Sequence, residues 1–552
     1  MTSHTAGHDV ARPASQTGDG GPLSPPRPRP IAGAMRLLDR HPRLAALVLG
    51  ALAACGYAPL DLWPLTLLCF AAWLALVHRA PGVRAALSRG WLFGWAHLSV
   101  ANNWIARAFT LQDAMPHWLG YPAVGLLCLY LAIYPMMAAG LAWRWGKRHA
   151  AGERPGPGFV LMAGAAWVLT EALRGWALTG YPWPPLASLW VPIRGVAQLA
   201  AWVGTYALSG LTVVLAGALL LLAERRWRAA AVGLPLVLLL ALVPPRVPQA
   251  PMPDAAPRVR AVQPDLPEEE RPGPDYAEHN LQALERLSGR PGAAPRLIVW
   301  PEGALRYLIE DGYPADYYWR QESPARVRAR LARLLGPRDL LLTGGTGVQF
   351  TRQGEIETVT NSIFAVDARG ALRGRYDKAH LVPWGEYLPW RPLLSKLGFA
   401  RLVPGGYDFA PGPGPRSMAL PGFGPVGMLI CYEVIFSGHI VDPARRPRLI
   451  FNPSNDSWYG RWGPAQHLAM ARLRAIEEGL PIVRATPTGI SAIIAADGRL
   501  LGTVPPERAG AIEAVIPPAA APTLFARLGN WLALIVGGLL GASAVAFRRW
   551  GR

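Results

Sequence analysis

Val426-Gly427-Met428-Leu429-Ile430-Cys431-Tyr432-Glu433 is an apolar run that ends on a thiol, with a carboxylate two residues beyond it. Its first five residues read as a buried strand, which places Cys431 where a sheet gives way to a loop. Leu297-Ile298-Val299 repeats the arrangement ahead of Trp300-Pro301-Glu302. A third stretch, Tyr376-Asp377-Lys378-Ala379-His380-Leu381, supplies an amine. A thiol must lose its proton to attack a carbonyl, and the oxyanion that follows needs a positive charge or N–H donors. Cys431 therefore suits a nucleophile, Glu302 the proton acceptor and Lys378 the positive charge.

Around these stretches, strand-like runs alternate with helical ones. Strands are expected at 258–262, 297–300, 340–343, 361–366, 427–431, 449–452, 482–485 and 492–495, and helices between them at 276–287, 325–335 and 464–478. That alternation favours a layered α/β fold over an all-β one. Roughly 250 residues suffice for one such domain with its own core.

The rest of the chain has a different character. Hydrophobic residues make up 51% of the 552, too many for a soluble enzyme of this length. Runs at 44–57, 62–77, 91–105, 118–141, 159–176, 196–222 and 229–243 follow one another, and an eighth at 531–546 closes the chain. A membrane-crossing helix takes roughly 20 apolar residues, so about eight spans are expected. Arginine and lysine gather in alternate joints: Arg36, Arg40 and Arg43; Arg79, Arg84 and Arg89; Arg144, Lys147, Arg148 and Arg154; Arg225, Arg226 and Arg228; and Arg548, Arg549 and Arg552. Basic excess marks the cytoplasmic side. All these clusters fall inside if seven spans precede an outer domain and one follows it. The Pro/Trp-rich joints 113–122 and 179–192 then lie outside, with the segment from about 244 to 523.

The expected organisation is a disordered cytoplasmic tail at 1–35, a seven-helix transmembrane bundle at 36–245, a periplasmic catalytic domain at 246–523, and a C-terminal transmembrane helix with a short basic tail at 524–552. The tail is rich in proline, serine and glycine and has too little apolar surface to offset its ordering entropy. No cleavable signal peptide is evident, and the first span would serve as the targeting signal. The net charge of +19 is accounted for by topology and anionic lipid, and no compact basic patch with interleaved aromatics points to a nucleic acid.

Three of the four cysteines, Cys55, Cys69 and Cys128, fall in expected spans, which leaves Cys431 alone in the outer domain. A solitary thiol there has no disulfide partner within its own domain. No phosphate-binding loop and no His/Cys cluster with metal-ligand spacing occurs, so neither cofactor nor metal is expected.

The contexts of Glu302, Lys378 and Cys431 resemble those of the nitrilase (carbon–nitrogen hydrolase) superfamily, which implies an αββα sandwich. The plan of seven spans, a domain and one more span resembles the apolipoprotein N-acyltransferase family more closely. Lys378-Ala379-His380-Leu381-Val382-Pro383-Trp384-Gly385-Glu386-Tyr387-Leu388-Pro389, Asn452-Pro453-Ser454-Asn455-Asp456-Ser457-Trp458-Tyr459-Gly460 and Gln466-His467-Leu468-Ala469-Met470-Ala471-Arg472 are similar to its motifs, as are Glu171-Ala172-Leu173-Arg174 and Thr179-Gly180-Tyr181-Pro182-Trp183. The resemblance implies that Cys431 takes an acyl chain from the sn-1 ester of a phospholipid as a thioester. The N-terminal amine of a diacylglyceryl apolipoprotein then collects it. Glu302 would accept the proton in each step and Lys378 would face the oxyanion.

Glu386 and Glu433 are expected in support, Glu433 orienting Lys378 or the substrate amine. Tyr432, Trp384, Trp458 and Tyr459 are candidates for an acyl pocket or for anchoring at the membrane interface. Glu171 and Arg174, one turn apart, are expected to form a structural ion pair. Two positions depart from the family pattern, Arg271-Pro272 and Pro487; neither is expected to touch the Glu-Lys-Cys set. A membrane-tethered amidase, with water resolving the thioester, is the competing enzyme. A transporter or scaffold with an inert outer domain is the alternative of another class.

Overall fold

A computed structural model describes residues 40–111, 115–148, 153–226, 256–266, 275–315, 322–397 and 407–550. The expected tail, the span at 229–243 and the Arg271-Pro272 departure lie outside the described residues.

The N-terminal half is helical: α1 (Pro42–Ala53), α2 (Trp63–His78), α3 (Val83–Ala101), α4 (Gly120–Leu131), α5 (Ile133–Leu141), α6 (Pro157–Arg174) and α7 (Ala200–Ala223). Among the described residues, three stretches are long and apolar enough to cross a membrane: His117–Gly146, Ala200–Ala223 and Trp531–Arg548. Pro42–Gly56 and Trp63–His78 are apolar but shorter. Between α6 and α7 the chain is mostly irregular yet buried, with Trp183, Leu186, Leu189 and Trp190 inside. Irregular backbone survives in such a place only when its polar groups find partners. Arg174 donates to the carbonyls of Trp183 and Pro184, and the amide of Leu186 donates to Glu171. Glu171 and Arg174 themselves lie 3.5 Å apart and buried, a structural pair as their spacing predicts.

The C-terminal half holds two six-stranded sheets. The strands are β1 (Arg258–Gln263), β2 (Arg296–Val299), β3 (Leu340–Phe350), β4 (Ile356–Asp367), β5 (Leu372–Asp377), β6 (Arg416–Leu420), β7 (Gly424–Met428), β8 (Leu449–Pro453), β9 (Ile482–Ala485), β10 (Ser491–Ile494), β11 (Leu500–Val504) and β12 (Gly510–Val515). One sheet runs β12-β1-β2-β3-β4-β5 and the other β11-β10-β9-β8-β7-β6. Val259, Leu297, Val299 and Leu342 of the first sheet meet Val426, Met428, Ile450 and Val483 of the second in one core between them. Helices α8 (Tyr276–Ser288) and α9 (Pro324–Ala332) cover the first sheet's outer face through Leu281, Leu284, Val327 and Leu331.

The second sheet is covered by α10 (Gly463–Glu478), and here the two halves of the chain meet. Met470, Ala471 and Ala475 face the sheets, while Ala469, Leu473 and Ile476 pack into the core of the N-terminal helices. A short α11 (Leu524–Leu528) then leads into α12 (Trp531–Trp550).

Candidate active site

Three strand ends converge between the sheets. Glu302 follows β2, Lys378 follows β5, and Cys431 follows β7. The strand before Cys431 ends at Met428, three residues short of the expected limit, because the chain turns there into a tight 3-10 turn, Cys431–Ile435. Cys431 has φ +49°, in the left-handed region that a side chain with a Cβ rarely adopts. Such a conformation costs about 1–3 kcal/mol and persists only where the surroundings impose it.

Glu433 is a principal part of those surroundings. Its carboxylate accepts from the Ile430 amide at 2.6 Å, from the Ala379 and His380 amides at 2.8 and 3.0 Å, and from the Tyr376 hydroxyl at 2.9 and 3.0 Å. It thus ties the Cys431 turn to the segment that carries Lys378. The hydrogen bonds of Glu433 are to backbone amides and a phenol and not to the Lys378 ammonium.

Lys378 is 1% exposed. Its Nζ lies 2.9 Å from Glu386 Oε2, 3.0 Å from Glu386 Oε1 and 3.4 Å from Glu302 Oε1. Burial opposes its charge, but Glu386, Glu302 and the Cys431 sulfur outweigh that and hold the ammonium above the ordinary lysine range. Asn361 of β4 donates one amide hydrogen to Glu302 (2.7 Å) and the other to Glu386 (2.9 Å). The second oxygen of Glu302 accepts from the Asn455 amide at 2.7 Å. Each Glu302 oxygen is therefore aimed by a donor from a different sheet. Burial, followed by the Glu302 carboxylate, pushes the Cys431 thiol up, with Lys378 pulling the other way. That shift favours the thiol over the thiolate.

Beneath Cys431 is a buried polar network. Its carbonyl accepts from His467 Nε2 at 3.2 Å and from Asn452 Nδ2 at 3.4 Å. A carbonyl only accepts, so His467 carries its proton on Nε2. His467 Nδ1 is 3.1 Å from Asp456 Oδ1 and 3.0 Å from Arg484 Nη2, and Arg484 in turn grips both Asp456 oxygens at 2.6 and 2.7 Å. Burial, then the Arg484 guanidinium, lowers the His467 pKa to about 4.

Of the other expected site residues, Tyr459 reaches the sulfur and the rest lie elsewhere. Tyr432 is buried, donates to the Gly180 carbonyl at 3.3 Å and stacks edge-on to Phe436 at 5.2 Å. Trp458 packs against the core between the sheets. Trp384 sits on an exposed loop with φ +65°. Tyr459 lies against Trp104 and Trp183, with its hydroxyl 3.2 Å from the Cys431 sulfur. Pro487 lines, together with Glu302, Pro301 and Asn455, a cavity of about 20 Å³. That is room for about one water.

Nothing in the sequence alone gives Asn361, Asp456 or Arg484 a role. Arg484 had a signal: a charge inside Ile482-Val483-Arg484-Ala485, a strand otherwise apolar, must be paired. Among the described residues, no group of three or more His, Cys, Asp or Glu side chains has the geometry to hold a metal ion.

Two family descriptions match the chain: "Apolipoprotein N-acyltransferase N-terminal domain" over residues 49–219 and "Carbon-nitrogen hydrolase" over residues 258–522. The apolipoprotein N-acyltransferase of Rhodopseudomonas palustris is 32% identical over 517 residues, covering 89% of this chain and 92% of that one. That of Caulobacter vibrioides is 35% identical over 515 residues with the same coverage, 89% and 92%. Among solved structures, an amidase from Nesterenkonia sp. is 22% identical over 48% of this chain and 92% of its own, with a TM-score of 0.31.

Proposed function

This chain belongs to the apolipoprotein N-acyltransferase family, and on that premise we propose that it moves an acyl chain from a phospholipid to the N-terminal amine of a diacylglyceryl-cysteine on apolipoproteins. Cys431 attacks the donor ester as its proton passes to Glu302. The tetrahedral oxyanion forms against the Lys378 ammonium. Collapse expels the lyso-phospholipid, which takes up the proton from Glu302, and leaves a thioester. The substrate amine then attacks that thioester and gives its proton to Glu302. The second collapse releases the amide and the Cys431 sulfur, which recovers a proton. Glu386 and Asn361 hold Lys378 and Glu302 in place through both halves.

One observation carries the lipid reading over hydrolysis of a soluble amide. The aromatic residue in contact with the sulfur, Tyr459, is itself in contact with Trp104 and Trp183 of the apolar N-terminal half. A thiol set against the apolar N-terminal half is suited to a substrate that resides in the bilayer.

We infer about eight spans of the bacterial inner membrane, seven of them ahead of the domain, with the domain on the periplasmic side. Support comes from the basic residues at one end of the bundle. Arg148 donates to the carbonyls of Phe547 and Arg548, and Arg548 donates to that of Trp145. Two basic joints distant in sequence thus share one side, as the charge rule for cytoplasmic ends requires.

The test uses the purified full chain in detergent, a phospholipid with a labelled acyl chain and a diacylated lipopeptide. N-acylated peptide is the expected product, with Cys431→Ser giving neither product nor acyl-enzyme. Free fatty acid alone would mean that water resolves the thioester and would overturn the transferase reading.

A further inference from the structure

We propose that Tyr459 is a catalytic residue whose hydroxyl donates a hydrogen bond to the Cys431 sulfur and steadies the thiolate each time it forms. The inference rests on Cys431 being the nucleophile and adds a group that touches the reacting atom.

The geometry is specific. The hydroxyl lies 3.2 Å from Sγ, within sulfur hydrogen-bond range, and both residues are buried. Among the described residues, the sulfur is the partner that the structure gives this hydroxyl. The ring is held on three sides. Trp104 meets it at 4.6 Å and 67°, Trp183 at 5.4 Å and 69°, and His467 at 5.5 Å and 67°. Its main chain is fixed as well: the Tyr459 amide donates to the Asp456 carbonyl, and the Gly463 amide donates to the Tyr459 carbonyl, each at 3.0 Å. Gly463 allows that approach, since a Cβ there would fall 2.3 Å from the Tyr459 Cβ. A phenylalanine would make the same ring contacts, so the packing does not require the hydroxyl.

The chemistry gives it a use. When Cys431 loses its proton to Glu302, negative charge gathers on sulfur in a site closed to bulk water, where one well-placed donor counts for more than in solution. The same charge returns when the thioester collapses onto the amine and sulfur leaves. Tyr459 keeps its own proton throughout: no bond to it forms or breaks, and Glu302 remains the group that accepts protons. Burial, then the neighbouring sulfur, pushes the phenol well above its ordinary range, which keeps the O–H intact as a donor. Lys378 is engaged by two carboxylates. Tyr459 therefore supplies a donor directed at the sulfur that the lysine leaves free for the oxyanion.

The experiment follows acyl-Cys431 formation by mass spectrometry. The full-length protein in detergent is incubated with a phosphatidylethanolamine bearing one labelled acyl chain, between about pH 6 and pH 9. A net hydrogen-bond contribution of ordinary size predicts that Tyr459→Phe forms the thioester roughly threefold to tenfold more slowly near neutral pH. It also predicts a pH–rate profile displaced to higher pH, with the melting temperature unchanged. Replacing Tyr459 by 3,5-difluorotyrosine keeps the ring and makes a stronger donor, and it displaces the profile to lower pH. A Tyr459→Phe profile matching wild type overturns the proposal, as does slowing with no displacement, which would mark a packing role. Should the Phe variant fail to fold, an unmoved profile for the fluorinated protein overturns it equally. Absence of acyl-Cys431 in the wild type would instead overturn the reading of Cys431 as nucleophile.

Discussion

Asn361 uses both hydrogens of one amide nitrogen, one on Glu302 and one on Glu386, and so fixes the spacing of the two carboxylates that flank Lys378. Hydrogen bonds to charged groups are each worth about 1.5–3 kcal/mol. Asn361→Ala removes two of them without touching the thiol. It is expected to slow acyl-enzyme formation by about tenfold to a hundredfold while leaving the far-ultraviolet circular dichroism intact; an unchanged rate would contradict the role given to it. Asn361 is the opening residue of one expected strand, so its place on the chain is visible in the sequence. Its partners are not, because 59 residues separate it from Glu302 and 25 from Glu386. Cys431, Glu302 and Lys378 stand out earlier because each follows or joins a recognisable run.

Strands make the sharpest contrast between expectation and structure. The eight expected strands are the interior strands β1–β4 and β7–β10, and the four that escaped, β5, β6, β11 and β12, are the edges of the two sheets. Interior strands are covered on both faces and read as continuous apolar runs. Edge strands are half exposed: Leu372-Arg373-Gly374-Arg375-Tyr376-Asp377 alternates with charge and looks like loop. Two predictions belong to elements. Gly344 of β3 lies under the Glu302 turn, and a Cβ there would fall 2.4 Å from the Pro301 carbonyl oxygen and 2.8 Å from the Glu302 Cα. Backbone cannot give way as a side-chain tip does, so Gly344→Ala is expected to displace Glu302. The acyl-transfer rate would then drop at least tenfold, with a smaller change in melting temperature. The second concerns the polar network under β8 and β9. With His467 at about 4 in the folded protein against roughly 6.5 when unfolded, the unfolded chain binds more protons between those values. Stability therefore falls as pH drops from about 6.5 to about 4 and loses no more from this group below that. Thermal melts across that range in wild type and His467→Gln test this, and a wild-type slope matching that of the variant would contradict it.

At the scale of the whole molecule, the domain and the N-terminal helices are joined by polar bonds inside an apolar contact. Glu477 of α10 accepts from the Thr205 amide at 2.7 Å and the Ser437 hydroxyl at 2.8 Å and pairs with Arg474 at 2.7 Å, while Arg474 also donates to the Thr205 hydroxyl. Thr205 follows Gly204, whose φ of +78° bends the start of α7 and brings that amide within reach. Trp183 and Gln466 add a second link at 2.7 Å, and Gln466 donates onward to the Ala101 carbonyl. Glu477→Ala would leave the Arg474 guanidinium buried and unpaired, a change that costs about 3–5 kcal/mol. The detergent-solubilised protein is expected to melt several degrees lower, and limited proteolysis to cut more readily between the two halves. A melting temperature equal to that of wild type would mean that this joint does not hold the halves together.

Read from its sequence alone, the chain already discloses apolar helices beside an α/β domain, the interior strands of both sheets, and the three residues proposed for the chemistry. Those features depend on local order: an unbroken apolar run, a charge where the run stops, a basic cluster between helices. Only the tertiary structure decides that Glu433 bonds to backbone amides, that Asn361 bridges two carboxylates, that Pro487 borders the Glu302 cavity, and that Tyr459 reaches the sulfur with its ring against Trp104 and Trp183. Each of those contacts joins segments far apart along the chain, and their meeting depends on how sheets and helices stack. No periodicity in the sequence encodes that stacking.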